Sequence, residues 1–398
     1  MCVVRKCFLL ITLMGLLLGA VLIGTGVGHP NGGNVRTGPR AVVGVYYFDG
    51  WDKINSQQLS NNNLMSAFAS RKPLTGWLDN TLRIMRQELA WAHRDGISFF
   101  VFDYYYYPRS NPHVGGQNPD LNNALHLYKK LRWHSHVHYA LLYVNGGPFV
   151  VSPQSWHRVV TRWITRYFQD PSYQRINGKP VLVIINIDGF AQQMMGYQGA
   201  HGRVQSANRA IAVLQSVARA HGLPGIYVLG GGDTYPSPRF QHLSWLRKVH
   251  IQAMTLYNYP CVLALSNGPM PYRRLMRISP QIWMRFATKS HHLFLPVVMD
   301  GWDPRPWNEH QFGYLFWFRR SPADFERFAK DTITFVKRHQ EMQVTTPPHR
   351  PVFLIEAWNE LGEGSYMVPT VGDHNAYGQA LAHALGVSIV TRRRKKEN

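Results

Sequence analysis

The chain is 398 residues long and carries 43 Lys+Arg against 22 Asp+Glu, a formal charge of +21. Hydrophobic residues make up 45% of it, an ordinary folding composition that excludes intrinsic disorder and rod-like architectures. Its three cysteines, two of them (Cys2 and Cys7) at the extreme N-terminus, exclude a disulfide scaffold and a cysteine-ligated zinc site.

Residues 1–28 open with Arg5 and Lys6 and then run uncharged from Cys7 to Val27. A basic start followed by an apolar run of this length reads as a signal peptide or a signal anchor. Gly26 and Gly28 offer small residues for a cut before His29. An exported protein is expected, periplasmic, secreted or membrane-anchored at the cell surface, with the membrane a partner only if the segment is uncleaved. Residues 29–40, rich in Gly, Pro and Asn, read as a linker, 41–386 as one folded domain, and 387–398 as a basic tail containing Arg392–Lys396.

From Ala41 onward, short apolar β-branched or aromatic runs alternate with stretches of helical period. Strands are expected at 42–48, 97–104, 138–145, 181–187, 226–230, 251–257, 293–299 and 352–358. Helices are expected near 78–94, 119–135, 153–169, 205–221, 238–248, 271–290, 322–341 and 374–385. The strands are continuous rather than alternating apolar runs, which indicates burial on both faces and a parallel sheet. Eight such units predict a single α/β domain, a (β/α)8 TIM barrel. An open doubly wound sheet would need a Gly-rich phosphate turn after the first strand, and Gly44–Gly50 supplies none.

In a barrel, chemistry is built at the carboxyl ends of the strands. Those ends carry Tyr46, Tyr47 and Trp51; Asp103 with Tyr104–Tyr107; Asn145; Asn186 and Asp188; Asp233; Tyr257 and Asn258. The seventh ends in Asp300-Gly301-Trp302-Asp303-Pro304-Arg305-Pro306-Trp307, and the eighth in Glu356-Ala357-Trp358-Asn359-Glu360-Leu361-Gly362-Glu363-Gly364. Carboxylates and amides match sugar hydroxyls, and aromatic rings match sugar C–H faces. Phosphate ligands would want Gly-rich amide nests with Lys or Arg, and metals convergent His with carboxylates. The 19 histidines lie mostly off the strand ends and read as surface residues rather than metal ligands.

Glu360 and Glu363 form the sharpest pair. An i, i+3 spacing in a turn or first helical turn puts Cβ atoms about 5–6 Å apart. Retaining glycoside hydrolysis wants two carboxyls roughly 5–5.5 Å apart, one protonated and one ionised. Like-charge proximity provides that split by raising one pKa. Glu356 reads either as an inward structural acid or as a third acid of the site. The alternative reading of the pair makes Glu360 a helix cap or an arginine partner and leaves Glu363 in solvent.

Trp358-Asn359-Glu360-Leu361-Gly362-Glu363-Gly364-Ser365-Tyr366, with Pro369-Thr370 behind it, resembles the Trp-Asn-Glu-Trp-x-Glu-Gly signature of glycoside hydrolase family 99 and its WbsX-like relatives. Tyr46-Tyr47, Phe102-Asp103-Tyr104-Tyr105 and Gly301–Trp307 are supporting matches, and the resemblance spans about 41–386. It implies a barrel acting on α-mannoside-like chains with retention and without metal or organic cofactor. Glu360 is then the base on the sugar 2-hydroxyl and Glu363 the acid/base. Tyr46 or Tyr47, and Tyr257, become hydroxyl partners of the reacting ring. Leu361 stands where the signature usually has Trp, which removes a stacking face.

Substrate-binding residues are accordingly expected at Tyr46, Tyr47, Trp51, Asp103, Tyr104, Tyr257, Asp300, Trp302, Asp303, Arg305, Trp307, Trp358 and Asn359. The leading expectation is an exported retaining glycosidase with a polysaccharide or oligosaccharide substrate. A glycosyl-transferring enzyme of polysaccharide assembly and a non-catalytic carbohydrate-binding barrel are the alternatives. Charged residues are only 16% of the chain and the basic ones are spread along it, so no nucleic-acid partner is expected. The excess positive charge points instead to a polyanionic partner or an acidic compartment.

Overall fold

The computed structural model describes residues 39–52, 63–108, 121–132, 136–232, 243–263, 265–311 and 313–387. The expected signal segment, most of the linker, the basic tail beyond Val387 and Asp233 lie outside them.

A curled parallel sheet forms the centre. Its strands are β1 (Val42–Tyr47), β2 (Phe99–Tyr104), β3 (His138–Tyr143), β4 (Lys179–Ile184), β5 (Tyr227–Gly231), β6 (Ala253–Thr255), β7 (Leu293–Phe294), β8 (Val297–Met299) and β9 (Arg350–Glu356). Pairing is parallel throughout and runs β8–β9–β1–β2–β3–β4–β5–β6–β7. The seventh expected strand is thus split. Pro296 has no N–H to give to a ladder, and the segment uses its two halves on different neighbours. Leu295 N donates to Met254 O at 2.8 Å, while Leu354 N donates to Pro296 O at 2.8 Å.

Helices cover the outside: α1 (Leu82–Arg94), α2 (Asn123–Leu131), α3 (Pro153–Trp163), α4 (Ile187–Gln193), α5 (Gly202–Ala220), α6 (Tyr272–Ser290), α7 (Pro322–Arg338) and α8 (Ala376–Leu385). Their starts follow capping chemistry. Ser152 Oγ accepts from Ser155 N at 3.3 Å and Ser321 Oγ from Asp324 N at 3.1 Å, each followed by a proline in the first turn. Asn186, expected at a strand end, instead caps α4, its Oδ1 accepting from Gly189 N at 2.8 Å. The helix expected over 238–248 is a 3₁₀ segment, Leu243–Lys248, with 238–242 outside the described residues. The last turns of the expected 153–169 helix widen into a π segment, Ile164–Phe168.

Side-chain alternation sorts the strand residues between the inside of the curl and the helix layer. Tyr104 faces the helices, its ring 5.7 Å from Trp163 and 6.0 Å from Tyr167. Asp103, one residue earlier, faces inward to Tyr257. Tyr47 likewise turns outward to Glu88 of α1, and Tyr46 turns inward.

Candidate active site

After β9 the chain passes through a cis Glu356–Ala357 peptide and forms a short hairpin. Its strands, β10 (Asn359–Glu360) and β11 (Ser365–Tyr366), pair antiparallel with Glu360 opposite Ser365. Glu360 and Glu363 therefore sit on a hairpin turn, not on the first turn of a helix. Gly364 closes the turn at φ +72°, a conformation that favours glycine. At Gly362 a Cβ would lie 1.5 Å from Trp307 Nε1, so only glycine lets the indole rest on the turn. Arg71 secures the other side: its Nη1 donates to Leu361 O at 2.9 Å and to Asp303 O at 3.1 Å.

Each glutamate has its own neighbour from the loop after β6. Tyr257 donates to Glu360 Oε1 at 2.7 Å, and Asn258 Nδ2 donates to Glu363 Oε2 at 3.3 Å. Tyr257 Oη also lies 3.2 Å from Asp103 Oδ2. Tyr46 supports this phenol, its ring 4.8 Å from that of Tyr257 and its hydroxyl donating to Leu256 O at 2.9 Å. Glu356 is buried below, accepting from Ser365 Oγ at 3.0 Å.

Burial is the largest influence on all four acids, and repulsion from neighbouring carboxylates adds to it. Glu360 is pushed up to about 7, the hydrogen bond from Tyr257 working in the opposite direction. Glu363 is driven well above the carboxylate range by burial and then by Glu360. Burial and the Glu360 carboxylate raise Asp103. Burial and then Glu363, Asp300 and Glu360 raise Glu356. The two glutamates thus part in the sense that acid–base chemistry needs, Glu363 holding its proton and Glu360 releasing its own first.

The remaining expected site residues divide by what they touch. Asn359 ties the hairpin to the end of β1: its Oδ1 accepts from Phe48 N at 2.9 Å and its Nδ2 donates to Phe48 O at 2.8 Å. Trp51 is buried and donates Nε1 to Asn359 O at 2.9 Å. Asp303 and Arg305 engage each other through two 2.7 Å contacts, with Arg71 also on Asp303, so they pin the turn. Asp300 is buried 3.5 Å from Arg320. Trp302 is 2% exposed and Trp358 fully buried against Phe100 at 5.2 Å. Trp307 is half-buried on the turn. The structure accordingly brings Tyr46, Asp103, Tyr257 and Trp307 to the pair or its turn. It places Tyr47 and Tyr104 in the layer behind, because strand alternation turns them away, and Trp358 there too, against Phe100.

Several contributors went unread in the sequence. Glu309, half-buried after the Arg305–Trp307 turn, raises both catalytic candidates electrostatically. The strand-end position of Asn258 does not by itself assign it to the site, and Arg71 and Arg320 lie in no motif. Among acids this scarce, Glu309 beside Trp307 was a detectable signal. Among the described residues, no group of three or more His, Cys, Asp or Glu side chains is arranged to hold a metal ion.

The model of the family described as Glycosyltransferase WbsX matches residues 149–381, a stretch that includes both glutamates. No curated protein matches the sequence. Among solved structures, a "Glycoside hydrolase-like protein" is similar with a TM-score of 0.60 at 15% identity, covering 90% of this chain and 97% of its own. The GH99 endo-alpha-mannosidase from Bacteroides thetaiotaomicron, in complex with BIS-TRIS-Propane, is similar with a TM-score of 0.54 at 14% identity, covering 86% of this chain and 96% of its own. GH5_18 from Streptomyces cattleya in complex with GlcNAc follows with a TM-score of 0.50 at 11% identity, covering 88% of this chain and 80% of its own. At these identities the likeness is one of fold. With the family model matched over more than half of this chain, the chain belongs to the WbsX family, and its α/β fold is similar to those of glycoside hydrolases, the family 99 endo-alpha-mannosidase among them.

Proposed function

We propose that the chain is an exported, retaining glycoside hydrolase that acts on polysaccharide or oligosaccharide chains of α-mannoside-like character. The observation that carries this reading is the separate hydrogen bonding of two glutamates on one tight turn, Glu360 by Tyr257 and Glu363 by Asn258. In this reading the sheet is a (β/α)8 barrel whose ring is completed at Pro296, and residues 1–28 direct export.

Glu363, protonated, gives its proton to the glycosidic oxygen as the C1–O bond breaks. Glu360 takes the proton of the sugar 2-hydroxyl, whose oxygen bonds to C1 and forms a 1,2-anhydro sugar. Glu363, now ionised, removes a proton from water as that water opens the ring at C1, and Glu360 returns its proton to O2. Two displacements at C1 leave the anomeric configuration unchanged. The buried position of the acids keeps the electrostatic interactions strong.

The family description favours a second reading, in which a sugar hydroxyl rather than water opens the same intermediate. One experiment addresses both. The purified protein is incubated with a panel of neutral and acidic polysaccharides and oligosaccharides, and products are read by mass and by anomeric proton signals. Shorter products released first with retained configuration support hydrolysis, and lengthened products support transfer. Inverted products refute the mechanism, and oligosaccharide binding without turnover leaves a carbohydrate-binding barrel.

A further inference from the structure

The parallel sheet carries a second hollow at its amino end, opposite the strand ends that hold the acidic turn. It is an open pocket of about 510 Å³, and Ser98, His138, Gln174, Arg175, Asn177 and Arg350 are among the residues that line it. They come from neighbouring parts of one sheet. His138 and Arg350 begin β3 and β9, and Ser98 directly precedes β2. These strands lie side by side with β1 in the order β9–β1–β2–β3. Two short antiparallel arms wall the pocket, Thr345–Thr346 on β9 and Arg175–Ile176 on β4. The second arm turns through Asn177-Gly178, both at positive φ, the pair that a two-residue hairpin favours.

No aspartate or glutamate lines this pocket, whereas two arginines and a histidine do. The half-buried Arg175 guanidinium meets backbone carbonyls, Nη2 donating to Phe168 O at 2.9 Å and Nη1 to Gly178 O at 3.4 Å. Arg350 is exposed. Among the described residues neither arginine has a carboxylate within ion-pairing distance. The acids nearest in sequence are engaged elsewhere. Asp170 lies 2.7 Å from Arg132 and 3.6 Å from Lys129, and Glu356 accepts from Ser365 at the far end of β9. A charge partly withdrawn from water without a counter-charge is unfavourable, so the pocket favours an anion from outside. Neutral polar groups stand beside the arginines. Ser98 Oγ accepts from Val43 N at 3.2 Å and keeps its own proton to donate. Gln174 gives its N–H to Arg175 O at 2.7 Å and keeps its oxygen to accept.

We propose that this pocket binds a small, sugar-sized ligand that carries one oxyanionic group, a phosphate or a carboxylate. Guanidinium groups pair with either through parallel N–H···O bonds, and the amides of Gln174 and Asn177 with the Ser98 hydroxyl match the hydroxyls of a polyol. The volume lies within the range of small-molecule sites. A walled hollow of this size suits such a ligand better than a polymer or a membrane, which would need an extended surface. The site shares no residue with the acidic turn and stands apart from the catalytic reading.

Calorimetric titration of the full chain with glucose 6-phosphate, glucuronate and glucose tests the assignment. At least one of the two anionic sugars is expected to bind saturably, and the one that does identifies the oxyanion; glucose binds more weakly. R350Q weakens that binding about tenfold or more, the size expected for the loss of one charged hydrogen-bonding partner. N177D keeps the turn chemistry while adding a carboxylate at the pocket, and it weakens binding in the same sense should R350Q impair folding. R219Q, which removes an exposed charge from α5, leaves binding unchanged and so controls for the excess positive charge of the chain. Failure of both anionic sugars to bind, parent affinity in either pocket variant, equal weakening in R219Q, or glucose binding as tightly as its phosphate overturns the proposal.

Discussion

Tyr257 and Glu360 are joined by a 2.7 Å hydrogen bond that reaches from the β6 loop to the turn after β9. The phenol has one proton to give, and Glu360 lies closer to it than Asp103, at 3.2 Å. Burial and the neighbouring Glu360 hold Asp103 well above the usual carboxylate range. A protonated Asp103 can then donate to Tyr257, which donates to Glu360. This chain of hydrogen bonds favours the ionised form of Glu360, the form a base requires.

The pH dependence of turnover follows from that arrangement. The proposed mechanism needs Glu360 ionised and Glu363 protonated, so kcat/KM is expected to rise with pH through about 7 as Glu360 loses its proton. It falls again at higher pH, where Glu363 loses its own. Tyr257→Phe removes the hydrogen bond that favours the Glu360 anion and moves the rising limb to higher pH. A pH–rate profile of both proteins checks this; a rising limb that stays in place denies Tyr257 that influence.

Glu363→Gln cannot protonate the leaving oxygen. Loss of general acid help costs about 10²–10⁴ in rate, and the loss should be confined to glycosides with poor leaving groups. Activated aryl glycosides, which depart without a proton, should be turned over at a rate much closer to that of the parent. Comparing kcat/KM on the two substrate types measures the difference, and equal losses on both remove Glu363 from the acid role.

Gly362→Ala places a Cβ where Trp307 Nε1 rests. The indole must leave the turn, and the turn carries both glutamates. The variant is expected to lose at least tenfold in kcat/KM through misplacement of the pair. The W307A/G362A double variant, which frees the space, should recover part of the loss. Steady-state kinetics of the two variants decides the matter.

Stability should fall as pH rises from about 4 to 8, in part for a reason outside the candidate site. Asp79 and Glu88 are buried and share the Tyr47 hydroxyl, at 3.4 and 2.7 Å. Burial, then Asp52, pushes Asp79 up to about 7; burial, then Asp79, pushes Glu88 up to about 8. In the unfolded chain both titrate near 4. Between these values the folded state keeps protons that the unfolded state has released, so raising the pH favours unfolding. Below about 4 both states are protonated at this pair, and above about 8 both are ionised, so the pair's contribution levels off. Denaturant melts at pH 5, 6.5 and 8.5 should show the decline, and D79N/E88Q should lessen it, the raised acids of the candidate site contributing in the same sense.

The strand order was readable because each strand is a short apolar run closed on both faces, a pattern that survives without knowledge of the fold. The flanking helices were readable from period and from caps such as Ser152 and Ser321. What misled was local chemistry: Pro296 interrupts the seventh run, and Asn186 serves as a cap where a strand end was expected. At the site, the Glu360–Glu363 spacing and the small Gly362 and Gly364 marked the turn. Which tyrosine of Tyr46–Tyr47 faces inward depends on the register of β1, which neighbouring strands set, and no single run of residues encodes it.

Thus composition and local pattern determined the α/β class, the succession of strands and helices, and the identity of the acidic turn, because each depends on residues near in sequence. The roles of Asp103, Tyr257, Asn258, Glu309 and Arg71 were decided only by the tertiary structure. They come from separate loops, and their pKa values and hydrogen bonds arise from burial beside groups up to hundreds of residues away. Electrostatic and hydrogen-bond energies depend on distance in space, so the linear order of residues names the participants without saying which of them meet.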